Sequence, residues 1–198
     1  KSEIRKIGFP LTKELVDREF LITGGTIMGA EKAMKHGISM NIAGGTHHAF
    51  SNKGEAFCLL NDQAIAAKYL INNKKINQIL IVDLDVHQGN GTASIFKSNK
   101  KVFTFSMHGA KNFPFKKEKS DLDVELEDNT SDEKYINKLE KALNQIIKEV
   151  NPQFVFYLSG VDVIDTDKLG RLSLSLEGCK KRDQIVFSIC KNKKIPIQ

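Results

Sequence analysis

The chain has 198 residues, 40% hydrophobic and 27% charged, enough apolar material for a core and too much for general disorder. Its 3 cysteines lack CxxC spacing and exclude a disulfide scaffold, and no apolar run reaches the roughly 18 residues of a membrane span. The net charge of +6 invites a nucleic-acid reading, but the lysine-rich stretch over residues 97–119 is followed by an acidic one over 121–133, and the two largely cancel at a distance.

Arginine, the better reader of bases and phosphates, is confined to Arg5, Arg18, Arg171 and Arg182, so no direct nucleic-acid binding is expected. After Pro10, Thr12 can cap a helix through Phe20. Residues 38–42 read as a strand, closed by Ala43, Gly44 and Gly45. An alanine-rich helix is expected over residues 59–71, and the continuous apolar run 79–82 reads as a strand covered on both faces. Residues 102–107 form a further strand, and 108–120 the longest loop. Thr130 with Glu133 has the pattern of a capping box. The helix it opens carries Ile136, Leu139, Leu143, Ile146, Ile147 and Val150 on one face and ends at Asn151-Pro152. A strand over 154–158, a helix over 179–190 and the opening of a strand at 195–198 complete the chain. Strands alternating with helices predict an α/β fold, a largely parallel sheet flanked by helices, in one domain spanning 1–198.

Polar clusters follow three of the strands. Asp83, Asp85 and His87 come directly after the apolar run, and extended alternation would put them on one face at the carboxyl end of the sheet, where open α/β sheets bind ligands. Carboxylates so placed repel each other and are costly to desolvate, and a divalent cation offsets both effects. The bland alternative is a solvated acidic loop. Asp162, after the 154–158 strand and Gly160, is by itself an ordinary turn residue; with Asp85 and His87 it completes a three-ligand site that suits zinc and leaves room for water and substrate. His47 and His48 follow Gly44-Gly45. Adjacent residues seldom ligate one ion together, so this pair reads as general base and acid in preference to ligands or plain loop histidines.

The segments GGTHHAF (residues 44–50), GEAFCLLND (54–62), ILIVDLDVHQGNGTA (79–93), FSMHGAKNFPF (105–115) and LSGVDVIDTDKLGRLSLSLEGCKKRD (158–183) together resemble the zinc-dependent histone deacetylase family, with its arginase–deacetylase fold. The wording HQGNGTA, SMHG and TDKLGRL is most similar to the class IV branch and its bacterial relatives. The resemblance implies zinc on Asp85, His87 and Asp162, catalysis by His47 and His48, and a carboxylate, Asp83, that orients the first histidine. It implies a structural potassium ion near Asp83 and Ser106, Asn90 as the partner of His48, and Phe57 and Phe113 as walls of an acyl-lysine tunnel. Without the resemblance, Phe113 reads equally well as core.

The implied reaction is removal of acetyl or longer acyl groups from protein lysines. A small-amide substrate such as an acetylpolyamine is the alternative within the fold, and a non-catalytic acyl-lysine binding module the alternative outside it. The family's catalytic tyrosine matches none of Tyr69, Tyr135 and Tyr157, so the chain reads as an incomplete piece of the domain, truncated at both ends and weak or inactive by itself. Few cysteines and no export signal make a cytoplasmic location the expectation.

Overall fold

The computed structural model describes residues 2–198. In chain order the elements are α1 (Ser2–Ile7), α2 (Lys13–His36), α3 (Asp62–Asn73), β1 (Ile79–Asp83), α4 (Asn90–Phe96), β2 (Val102–Gly109), β3 (Leu122–Leu126), α5 (Asp132–Val150), β4 (Phe154–Leu158) and α6 (Leu176–Lys193). The four strands form one sheet in the order β3-β2-β1-β4, and every pairing is parallel. β1 lies in the middle, fully buried, as its continuous apolar run requires.

Strand periodicity divides the core into two layers. Leu80 and Val82 of β1 join Val155, Tyr157, Phe105 and Met107 beneath α5 and α6. Ile79 and Ile81 face the other way, with Phe154, Phe156 and Leu158, against α2, α3 and α4. Ala30 and Ala33 of α2 and Ala64, Ala66 and Ala67 of α3 are all buried on that side, so small side chains let the helices approach closely. Each fully buried leucine or isoleucine of β1 contributes about 1.5–3 kcal/mol relative to exposure.

Several sequence expectations shift. The helix that Thr12 caps, through its Oγ1 and the Leu15 N–H at 3.2 Å, continues to His36 instead of ending at Phe20. Packing of α2 on α3 outweighs the helix cost of Gly24 and Gly25, and Gly37 at φ 91° ends it. Residues 38–42 are not a strand: only Ile38 bridges, to Ile197, while Met40 and Ile42 are exposed. The cap of α5 is Ser131, and Thr130 instead donates its hydroxyl to the Glu127 carbonyl, so the capping box does not form. β3 lies hidden in the acidic stretch, because an edge strand tolerates charged residues such as Glu125 and Asp123, the latter accepting from Gln88 Nε2 and the Ser120 N–H. Ile197 bridges to Val155, extending the sheet beside β4 as the final residues suggest. Cys58, Cys179 and Cys190 are free and buried. Among the described residues no helix is long and apolar enough to cross a membrane.

Candidate metal and catalytic site

β1 and β4 are neighbours in register, Asp83 opposite Leu158, so the loops leaving their carboxyl ends run side by side. The Leu84 N–H donates to the Leu158 carbonyl at 3.1 Å and ties the two exits together. From the first loop come Asp85 and His87, and from the second Asp162. One ligand atom from each lies within 4.8 Å of the others. His87 Nδ1 is 3.0 Å from Asp85 Oδ1 and 3.1 Å from Asp162 Oδ2. The loop is braced from within, since Asp85 Oδ1 accepts the His87 N–H at 2.8 Å and Asp162 Oδ1 accepts the Val86 N–H at 3.0 Å. Two carboxylates on one imidazole nitrogen form a donor set fit for a divalent cation with nitrogen and oxygen ligands.

Asp83 does not share their face. β1 ends at Asp83 and the chain bends through residues 85–87, so the extended alternation breaks off. Asp83 stays 3% exposed behind the cluster, with its Oδ2 2.6 Å from His47 Nδ1. His48 Nδ1 lies 2.7 Å from Asn90 Oδ1. The two imidazoles sit 4.1 Å apart between ring centroids, each braced by a different partner.

These partners separate the two rings electrostatically. Burial disfavours a charge on His47, but the Asp83 and Asp85 carboxylates outweigh it and hold its pKa up at about 9. Burial also raises Asp83; imidazole is the stronger base of the pair, so the shared proton belongs on His47 Nδ1. Burial and the neighbouring His47 charge push His48 down to about 3, leaving it neutral. At His87, burial is overcome by hydrogen bonds to Asp162 and Asp85, which raise it to about 10. Burial raises Asp85, yet the His47 charge and the contacts with His87 keep it well below the usual carboxylate range.

The histidine loop owes its shape to residues at the start of α3. Asn61, the N-cap, donates from Nδ2 to the Ala49 carbonyl at 3.1 Å and to Thr92 Oγ1 at 3.0 Å. Asp62, 1% exposed, accepts the Thr46 N–H at 2.9 Å, the Thr46 hydroxyl at 2.8 Å and the Thr26 hydroxyl at 2.6 Å. On the opposite side, Arg182 of α6 is fully buried and donates to the Gly160 carbonyl at 2.5 Å, to Ser159 Oγ at 2.9 Å and to Asp183 Oδ1 at 2.8 Å. Nothing in the sequence motifs assigns these three a role. An N-cap before an alanine-rich helix was visible in principle, whereas nothing local marks Arg182.

The site forms the floor of a cavity of about 930 Å³, lined by His47, His48, Asp85, His87 and Asp162 and walled by Phe57 and Phe113. Phe113 meets His48 edge-on at 5.0 Å, and Phe57, more than half exposed, packs against Phe9 at 5.0 Å. Phe113 is therefore a wall residue and not core. None of Tyr69, Tyr135 and Tyr157 lines the cavity.

Residues 2–197 match the histone deacetylase domain family. An uncharacterized protein of Picosynechococcus sp. is 46% identical over 186 residues, which take in 94% of this chain and 62% of that protein. Histone deacetylase 2 of Arabidopsis thaliana is 32% identical over 196 residues, 98% of this chain and 49% of its own length. A crystal structure of an HDAC homolog from Aquifex aeolicus matches with a TM-score of 0.80 at 27% identity, covering 91% of this chain and 52% of that one. An HDAC homolog complexed with SAHA matches at 0.79 and 27% identity, with 90% and 51% covered. The chain thus spans roughly half to three-fifths of the length of these relatives.

Proposed function

The chain belongs to the histone deacetylase domain family, and from that premise we propose that it carries the metal and histidine centre of a zinc-dependent hydrolase that removes acyl groups from lysine side chains. The observation that carries this reading is the convergence of Asp85, His87 and Asp162 at the floor of a phenylalanine-walled cavity, beside His47 and His48. Asp85, Asp162 and His87 through Nδ1 would hold the zinc. When bound, zinc polarises an acyl carbonyl and acidifies a water.

The remaining roles fall to the chain's own groups. Neutral His48 is the ring able to accept a proton from the attacking water. His47, kept cationic by Asp83, steadies negative charge developing on the substrate oxygen, and a histidine of the pair returns a proton to the leaving amine. Phe57 and Phe113 suit the methylene stem of an acyl-lysine, which is apolar and narrow. The likeness to an HDAC homolog that was solved in complex with SAHA supports this reading. A structural potassium ion near Asp83 and Ser106 belongs to the same proposal; the two are register partners across β1 and β2. A cytoplasmic location also belongs to it, supported by three free thiols.

Metal analysis after zinc reconstitution tests the centre, with about one zinc per chain expected from one three-ligand site. Asp85→Ala and Asp162→Ala should each abolish that binding, while His48→Ala should keep the metal and lose turnover. Loss of metal from His48→Ala would overturn the division of roles. A panel of acetyl-lysine peptides, long-chain acyl-lysine peptides and acetylated polyamines decides the substrate, and turnover of the polyamines alone would overturn the protein-lysine reading.

A further inference from the structure

We propose that Glu55 is a positioning residue for His48: its carboxylate fixes which end of the Asn90 amide faces the imidazole, and so which ring nitrogen carries the proton. The inference deepens the deacylase reading and rests on it only for its rate readout.

Asn90 opens α4 and is 2% exposed. Its amide lies between two partners, with Oδ1 2.7 Å from His48 Nδ1 and Nδ2 3.2 Å from Glu55 Oε1. The two ends of an amide are nearly equal in size, so shape alone does not choose the orientation. Glu55 does. Its carboxylate, ion-paired with Lys53 Nζ at 2.5 Å, can only accept. The Asn90 end facing it must therefore be the donor, Nδ2. Oδ1 is then left for His48, and because a carbonyl oxygen only accepts, His48 Nδ1 must donate. The proton sits on Nδ1, and Nε2 keeps its lone pair.

Reversing the amide reverses every step. Nδ2 would face Nδ1, Nδ1 would have to be bare, and the proton would move to Nε2. A neutral His48 in that form has no lone pair with which to take a proton at Nε2. His47 needs no such device, because its partner Asp83 accepts through either oxygen. Glu55 is itself held in place: it exchanges backbone hydrogen bonds with Cys58 at 2.9 and 3.0 Å, two residues from the wall residue Phe57. Its carboxylate reaches Asn90 from the cavity rim while Lys53 covers the other oxygen.

The tautomer can be read directly from long-range proton–nitrogen correlation spectra of protein labelled with nitrogen-15 in histidine, near neutral pH. Signals of His48 are identified by their loss in His48→Gln. The unsubstituted protein should show His48 protonated at Nδ1. Glu55→Gln is isosteric but offers either end of its amide, so the ratio should shift about tenfold or more toward the Nε2 form, the usual advantage of a charge-assisted over a neutral hydrogen bond. Glu55→Ala should give the same shift, and stands in should the glutamine variant fail to fold. Lys53→Met keeps the carboxylate and should keep the Nδ1 form. Glu55→Gln combined with Asn90→Asp should restore it, since Asp accepts however it turns. An unshifted His48 in both Glu55 variants, or no restoration in the double variant, overturns the proposal. On an acyl-lysine peptide, Glu55→Gln should lower kcat by the same factor as the measured fall in the Nδ1-protonated fraction, with KM unchanged. Absence of any turnover by the unsubstituted protein would count against the deacylase reading and leave the tautomer result standing.

Discussion

Arg182→Met tests whether the two ligand loops are held together from behind. Arg182 is fully buried, and its guanidinium joins the β4 exit, through Gly160 and Ser159, to the Asp183 carboxylate on its own helix. Methionine fills much of the same volume, so the cavity contribution is small and the loss is mainly of hydrogen bonds. The buried Leu84 carbonyl on the first loop, 3.4 Å from Nη1, and the half-buried Gly160 carbonyl lose their donor, at a cost of about 1–3 kcal/mol. Ser159 and Asp183 keep each other at 3.1 Å, and Asp183 keeps the Tyr157 hydroxyl, so they add less. The sum is about 3 kcal/mol, and at about 2–4 °C per kcal/mol for a chain of this size Tm should fall by roughly 6–12 °C. Urea unfolding gives the free energy, and competition with a chromophoric chelator gives zinc affinity, expected to drop about tenfold or more as the Asp162 loop loosens. A destabilisation below about 1 kcal/mol, or full destabilisation with unchanged zinc affinity, would refute the clamp.

Two shorter tests follow. A methyl group at Gly160 would meet Asp85 Cα at 2.5 Å, and one at Gly170 would collide with the Asp162 carbonyl, so Gly160→Ala and Gly170→Ala should weaken zinc binding by about tenfold or more in a chelator competition. His108 is fully buried, and burial pushes its pKa down to about 4. The unfolded chain takes up that proton as pH falls below its ordinary value of 6.5 and the folded one does not, so this share of stability is present above 6.5 and lost toward pH 4. The loss should reach about 2 kcal/mol at pH 5, and the difference between the protein and His108→Gln in urea unfolding isolates it.

The sequence by itself determined the layered α/β plan and singled out most of the polar residues that the fold gathers at the site. A continuous apolar run makes a doubly covered strand wherever it folds, and polar residues just past such a run have only the sheet's carboxyl edge to occupy. Asp85, His87 and Asp162 were placed for that reason; His47 and His48 were singled out as an adjacent histidine pair, although the strand expected before them over 38–42 does not form. Phe57 and Phe113 were legible only through the family resemblance, because an aromatic side chain reads alike in a core and in a cavity wall. Tertiary structure decided how the carboxylates divide. Asp83 and Asp85 look equivalent in sequence, but the strand ends between them, sending one to His47 and the other toward Asp162. It also carried α2 across three glycines and drew β3 out of an acidic run, since neighbouring elements supply burial and hydrogen bonds that no local window contains. Arg182, Asp62 and Glu55 act on Gly160, Thr46 and Asn90, which lie 22, 16 and 35 positions away in the chain, through contacts that only folding brings within reach.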